Sequence, residues 1–263
     1  MKKIYIHTDL EGVSGIDKAE MIPKESPDFA YCSERLLTDI NAAIEGAFAG
    51  GATHVTVMDA HAGGGNCDLS KLDKRAEIDT KPNGEWWGIL DDSYWGSFFI
   101  GAHAMAGTLN GFLDHTRNSS TIFNYYINDR AMGELGNWGF VCGHFGVPVI
   151  MVSGDLAAIN EAVQFFGDIE TATVKTGISR QRAQLIPNDE AYERIRSAAE
   201  RAVSRAERKQ PFLPLLPMEV KIEFMRADYC DYNANNRPGV ERLNARTARR
   251  IANSYLDYWL YKI

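Results

Sequence analysis

Apolar residues open the chain in a strand-like run that ends in two carboxylates, Asp9 and Glu11, within the first eleven residues. A strand alternates its side chains, so Asp9 and Glu11 leave the same face, roughly 7 Å apart along an extended backbone. Gly12 and Gly15 follow with Val13 and Ser14 between them, which predicts a tight turn holding both carboxylates at the strand's end. From Ser26-Pro27, read as N-cap and first helical position, Leu36, Leu37, Ile40, Ala43, Ile44, Ala47 and Phe48 recur at helical spacing until Gly50-Gly51. His54–Asp59 reads as the next strand, so the opening is a β-α-β unit with a right-handed crossover.

The opening device repeats. The second strand runs into Ala60-His61-Ala62 and a glycine triplet, and a buried strand over 97–100 leads through Gly101-Ala102 to His103. Residues 121–127 alternate as a strand that turns at Asn128-Asp129-Arg130, and Gly133-Glu134-Leu135-Gly136 begins a helix closed by Gly146. The continuous apolar run over 147–152 suits a central parallel strand covered on both faces. A helix over 155–166, a strand over 169–174 ending in Lys175, and a helix over 188–209 with an acidic first turn and a basic last turn follow. Prolines crowd 211–217, 218–225 alternates as a strand, and 245–261 reads as a last helix with Ile251, Tyr255, Tyr258 and Trp259 on one side.

This pattern predicts an α/β fold, a three-layer Rossmann-like mostly parallel sheet with a second, smaller α+β domain. Residues 1–210 are expected to form the metal-binding catalytic domain. Within it, 68–125 forms a subdomain or lid that carries Trp86, Trp87 and Trp95, and 211–263 is a C-terminal α+β segment packed on the whole. Ligands of such sheets collect beyond the carboxyl ends of the strands, which is where Asp9, Glu11, His61 and His103 fall.

Charge and cysteine usage narrow the partners. The net charge is −7, and the basic residues gather into no tract that could hold a phosphate backbone, which argues against nucleic acid. Cys32, Cys67, Cys142 and Cys230 form no Cys-x-x-Cys and read as free thiols in a reducing compartment. No apolar run approaches the roughly 18 residues of a membrane span. The expectation is a cytoplasmic protein without a membrane partner.

The candidate ligands are Asp9, Glu11, His61, His103 and Glu134, with His115 beside them. Oxygen and imidazole nitrogen without thiolate is the donor mix of catalytic zinc or manganese. Five protein ligands exceed what one tetrahedral catalytic ion with an open position accepts, and they suit two divalent ions sharing a carboxylate. Metal-assisted amide hydrolysis fits this set. A dinuclear phosphoesterase and a non-catalytic peptide-binding or transport accessory protein use the same residue types. Among the other polar residues, His7 reads as structural, Asp59 and Asp155 as groups able to orient a ligand, Lys175 as a candidate for a substrate carboxylate, and His144 as a helix cap.

Thr8-Asp9-Leu10-Glu11-Gly12-Val13-Ser14-Gly15, Asp59-Ala60-His61, Gly101-Ala102-His103-Ala104, Asp114-His115-Thr116, Ile127-Asn128-Asp129-Arg130 with Gly133-Glu134-Leu135-Gly136, and Ser153-Gly154-Asp155 occur in that order. Together they resemble the successive blocks of the DppA-like D-aminopeptidases, zinc metallopeptidases also described as dipeptide transport proteins. The likeness extends through Lys175 and Ile178-Ser179-Arg180 to Pro238-Gly239-Val240-Glu241-Arg242. It implies two zinc ions bridged by Asp9, with Glu11 and His103 on one and His61 and Glu134 on the other. It implies His115 as the catalytic residue, for which chemistry favours a general acid/base or oxyanion-donor role. It also implies a short peptide substrate and a homo-oligomer, a ring-type decamer. Gly63-Gly64-Gly65-Asn66 and Met105 depart from the family pattern and bear on substrate choice.

Overall fold

The computed structural model describes residues 1–254 apart from 83 and 236. Its strands are β1 (Lys3–Thr8), β2 (His54–Asp59), β3 (Glu77–Ile78), β4 (Gly96–Ala102), β5 (Ile122–Ile127), β6 (Arg130–Ala131), β7 (Val149–Asp155), β8 (Glu170–Ser179), β9 (Arg182–Leu185), β10 (Met218–Phe224), β11 (Val240–Arg242) and β12 (Thr247–Ala252). The α-helices are α1 (Phe29–Ala49), α2 (Glu134–His144), α3 (Leu156–Phe166), α4 (Asn188–Ser204) and α5 (Ala227–Ala234). Strands β3-β2-β1-β4-β7-β8-β9 make one sheet, parallel from β3 to β8 with β9 antiparallel at the edge. The strand order reverses about β1: the chain moves from β1 to β2 on one side and returns to β4 on the other. The crevice between β1 and β4 is therefore the switch point at which an open α/β sheet binds its ligand.

Each face of this sheet is covered by helices, as the buried run of β7 requires. Ile4 and Ile6 of β1, with Phe98 and Ile100 of β4, pack under α1 and α4. Tyr5 and Phe99 point the other way and pack with Leu135, Trp138 and Val141 of α2 and Ala158, Ile159 and Ala162 of α3. The small residues on α4, Ala191, Ala198, Ala199 and Ala202, let it lie close to α1, where a Cβ on Gly46 would come within 2.1 Å of the Arg196 carbonyl oxygen.

A second, antiparallel sheet runs β11-β12-β10-β5-β6. The C-terminal segment supplies only part of it, because β5 and β6 come from residues 122–131 and pair with β10. Its core joins Ile122, Ile127, Val220, Ile222 and Phe224 to Phe140 of α2 and Phe165 of α3.

Several expected boundaries move. Helix α1 begins at Phe29 instead of 27, and α4 ends at Ser204 instead of 209. The expected last helix is replaced over Thr247–Ala252 by β12, and its Tyr255, Tyr258 and Trp259 lie outside the described residues. Ala248 and Ala252 are buried and stand four apart, a spacing common to a helix turn and to one face of a strand; pairing with Ile222 and Met218 decides for the strand.

Candidate metal centre

The candidate ligands stand on the carboxyl-terminal rim of the parallel sheet. Asp9 and Glu11 follow β1, His61 follows β2 and His103 follows β4. Glu134 opens α2, where the helix N-terminus favours a negative charge. The rims of β1 and β4 are clamped by backbone bonds from Asp9 N to Ile100 O and from Gly12 N to Gly101 O, both 2.8 Å. Gly101 holds φ +80°, and a Cβ there would meet the Asp9 carbonyl oxygen at 2.2 Å, so the close approach requires glycine.

Two groups of ligand atoms result, each within 4.8 Å: Asp9, Glu11 and His61 form one, and His103, His115 and Glu134 the other. Asp9 joins them. Its Oδ1 lies 2.8 Å from His61 Nδ1, and its Oδ2 lies 3.3 Å from His103 Nε2. Glu11 Oε2 is 3.0 Å from His61 Nδ1, and Glu134 Oε1 is 3.5 Å from both His103 Nε2 and His115 Nε2. Glu11 thus shares its group with His61, and Glu134 with His103.

The donor set fits divalent cations. Asp9 Oδ2, Glu11 Oε2 and His103 Nε2 are buried with no hydrogen-bond partner among the described residues. Leaving such atoms unpaired costs about 1–3 kcal/mol each, more for charged groups. His103 Nδ1 lies 3.0 Å from the Ala104 carbonyl oxygen, so its N–H donates there and Nε2 presents a lone pair. In the same way His115 Nδ1 donates to Leu113 O at 2.7 Å, leaving Nε2 toward Glu134. Glu134 Oε1 also accepts from the Arg117 backbone N–H at 2.7 Å.

Electrostatics tell the same story. Burial opposes charge on His61, but Glu11 and Asp9 push its pKa up to about 11. Burial and the Glu11 charge raise Asp9, while burial on Glu134 is outweighed by His103 and His115, which hold it down at about 2. The carboxylates gathered around Asp9 thus call for positive charge between them.

The supporting residues hold the rim in place. Asn66 donates through its backbone and side chain to the two Asp59 carboxylate oxygens, each at 2.7 Å, and its amide also reaches His61 O at 2.6 Å. Asp59 therefore acts on His61 through Asn66, inside the glycine loop. Lys175 does not face a substrate: it is fully buried and donates to Glu11 O and Ile16 O, both at 2.7 Å, tying down the loop after β1. Asp155 caps α3 through Ala158 N and holds Phe112 N.

A cleft of about 830 Å³ opens beside the ligands and is lined by His7, Lys81, Trp86, Trp87, Arg117 and Asn137 besides Asp9, His61, His115 and Glu134. Of these cleft residues, sequence reasoning missed Lys81, Arg117 and Asn137 as site residues. The tryptophan pair was the available signal, since two adjacent indoles in a glycine-flanked loop need an apolar surface to rest on.

The comparisons with known proteins agree with this architecture. The D-aminopeptidase family model matches residues 1–261. A D-aminopeptidase of Bacillus subtilis (strain 168) is 33% identical over 245 residues, covering 91% of this chain and 87% of that protein. The solved structure of the Zn-dependent D-aminopeptidase DppA from Bacillus subtilis, a self-compartmentalizing protease, superposes with a TM-score of 0.91 at 30% identity, covering 98% of this chain and 94% of that one. With a family match over nearly its whole length and carboxylates and imidazoles converging at the sheet's switch point, this chain belongs to the D-aminopeptidase family.

Proposed function

We propose that this protein is a zinc-dependent aminopeptidase that removes the N-terminal residue, of D configuration, from short peptides. Asp9, Glu11 and His61 would hold one zinc ion, and Asp9, His103 and Glu134 the second. The observation that carries this reading is the pair of ligand groups joined at Asp9, in which Asp9 Oδ2, Glu11 Oε2 and His103 Nε2 are buried with no hydrogen-bond partner among the described residues. When bound, two zinc ions supply Lewis acidity toward the scissile carbonyl and a water acidic enough to deprotonate near neutrality.

The chain's own residues do the rest. His115, tethered by its Nδ1–H to Leu113 O, keeps Nε2 free to take a proton and return it to the leaving amine. Glu134 and Asp9 orient the imidazole of His103 from one side while Ala104 O fixes it from the other. The aromatic wall of Trp86 and Trp87 restricts water on one flank of the cleft. The likeness to a self-compartmentalizing protease supports a homo-oligomer here, and we assign it the ring of ten subunits. No helix among the described residues is long and apolar enough to cross a membrane, and the four cysteines are unpaired, which supports a place in the cytoplasm.

Glu11→Gln and His61→Ala test the reading. Each should lose bound zinc, measured by mass spectrometry of the metal, together with release of amino acid from D-aminoacyl amides. Full turnover by a folded, zinc-poor variant would refute the assignment, and phosphate release from simple esters without amino-acid release would replace it by phosphoester chemistry.

A further inference from the structure

His7 stands on the same face of β1 as Asp9, one pleat deeper, and lines the cleft beside the ligands. It is 3% exposed, and its Nδ1 is buried with no hydrogen-bond partner among the described residues. The ring stacks on Trp138 at 4.1 Å and 22°, and meets the edges of Phe99 at 4.7 Å and Trp86 at 5.0 Å. Phenylalanine would serve all three contacts, so packing does not account for the ring nitrogens. A ring nitrogen kept at the bottom of a cleft without a partner among the described residues is suited to a partner that enters with the substrate.

We propose that His7, with Trp86, forms a subsite that selects peptides whose N-terminal side chain is a flat ring ending in a hydrogen-bonding group, tyrosine being the common side chain that fits. This rests on the peptidase reading above and adds the substrate class. Depth sets the length: the floor lies about 7 Å below Asp9 along the strand, so a residue held at the metal centre reaches it only with a side chain as long as a para-substituted ring. Shape sets the ring: Trp86 and His7 meet at 65° and form an aromatic corner. Charge sets the tip: the cleft carries both signs, Lys81 and Arg117 against Glu85 and Glu134, and so favours neither a cationic nor an anionic side chain. A neutral hydroxyl remains, and His7 Nδ1 is the ring nitrogen on the cleft without a partner among the described residues.

The test is a panel of D-tyrosine, D-phenylalanine, D-leucine and D-alanine amides with the zinc-loaded protein. We expect kcat/KM for tyrosine to exceed that for phenylalanine by about tenfold or more, the loss of one hydrogen bond at a polar site. His7→Phe should bring the tyrosine-to-phenylalanine ratio to about one, chiefly through KM, and Trp86→Leu should lower both ring substrates against leucine. The ratio is internal to each variant, so a partly folded preparation does not mimic the effect, and the unaltered protein decides the matter if a variant fails to fold. Equal use of tyrosine and phenylalanine, preference for alanine, or an unchanged ratio in folded His7→Phe overturns the inference while leaving the peptidase reading intact. No release of amino acid from any member overturns both.

Discussion

The centre depends on two strands ending closer together than side chains allow, and Gly12→Ala tests that dependence. A Cβ at Gly12 would lie 2.0 Å from the Ala102 carbonyl oxygen and 2.6 Å from the carbonyl carbons of Ala102 and Gly101. All three are backbone atoms, so no rotamer change relieves the clash, and contacts under 3.0 Å are essentially never seen. The loop after β1 must retreat from the end of β4 by about 1 Å, breaking the Gly12 N to Gly101 O bond of 2.8 Å. Overpacking of this kind costs about 1–3 kcal/mol of stability. The functional loss is larger. Asp9 and Glu11 sit on the displaced loop and His103 on the fixed strand, while metal–ligand distances tolerate only about 0.2 Å. A shift of about 1 Å in a reacting constellation lowers rate by on the order of 100-fold. Zinc content after dialysis, thermal melting of the zinc-free protein, and kcat/KM on a D-aminoacyl amide give the three readouts. A Gly12→Ala protein that keeps two zinc ions and its kcat/KM would show that the clamp between β1 and β4 does not set the ligand spacing.

Other residues allow narrower tests. His115→Ala should keep both zinc ions and lower kcat on the order of 100-fold or more, and loss of one ion would make the residue a ligand instead. Asn66→Ala removes the amide that joins Asp59 to His61 O, and should weaken zinc by about 10- to 100-fold in a chelator competition; unchanged affinity would confine Asn66 to the loop's fold. Glu161 is buried, accepts only the Met105 N–H among the described residues, and has its pKa pushed up to about 7 by burial, from a usual 4.5. The folded chain thus holds a proton that the unfolded chain has released, so this contribution is full below the usual pKa and is lost as pH rises through about 7. Glu161→Gln should make the zinc-free protein's urea midpoint less dependent on pH between about pH 5 and pH 8, by at most on the order of 3 kcal/mol. Parallel pH profiles for the two proteins would refute this.

The fold was legible wherever a residue's partner lay nearby in sequence. β1, α1 and β2 announce themselves by periodicity and glycine stops, and each rim ligand betrays itself by following an apolar run, so Asp9, Glu11, His61 and His103 stood out together. The partition of those ligands did not. Which rim residues are adjacent depends on strand order and on the direction in which the loop after β1 turns, and neither is encoded in spacing. Lys175 shows the same limit: a lysine at a strand end reads as a candidate for a substrate carboxylate, and only the buried carbonyls of Glu11 and Ile16 reveal its inward turn. β12 was hidden for a local reason: the helical reading rested on Ile251 facing inward with the aromatic residues that follow, whereas Ile251 is half exposed and the small Ala248 and Ala252 face the core.

The antiparallel sheet is part of the centre's construction rather than an appendage to it. β6 leads within two residues to Gly133 and then to Glu134, so the position of that carboxylate follows from how the β5-β6 hairpin is held. The hairpin is held by β10, through the pairs Val220 with Ile127 and Ile222 with Tyr125. Helix α2 completes the argument, because its two sides enter different cores: Leu135, Trp138 and Val141 pack on the parallel sheet, and Phe140 packs with the antiparallel one. Glu161 braces the junction, with Oε2 on Met105 N and Oε1 against Gly133, where a Cβ would come within 2.2 Å. Glu134 is thus fixed relative to Asp9 and His103 only when both sheets are formed, which couples the second ligand group to the folding of residues well beyond the parallel sheet.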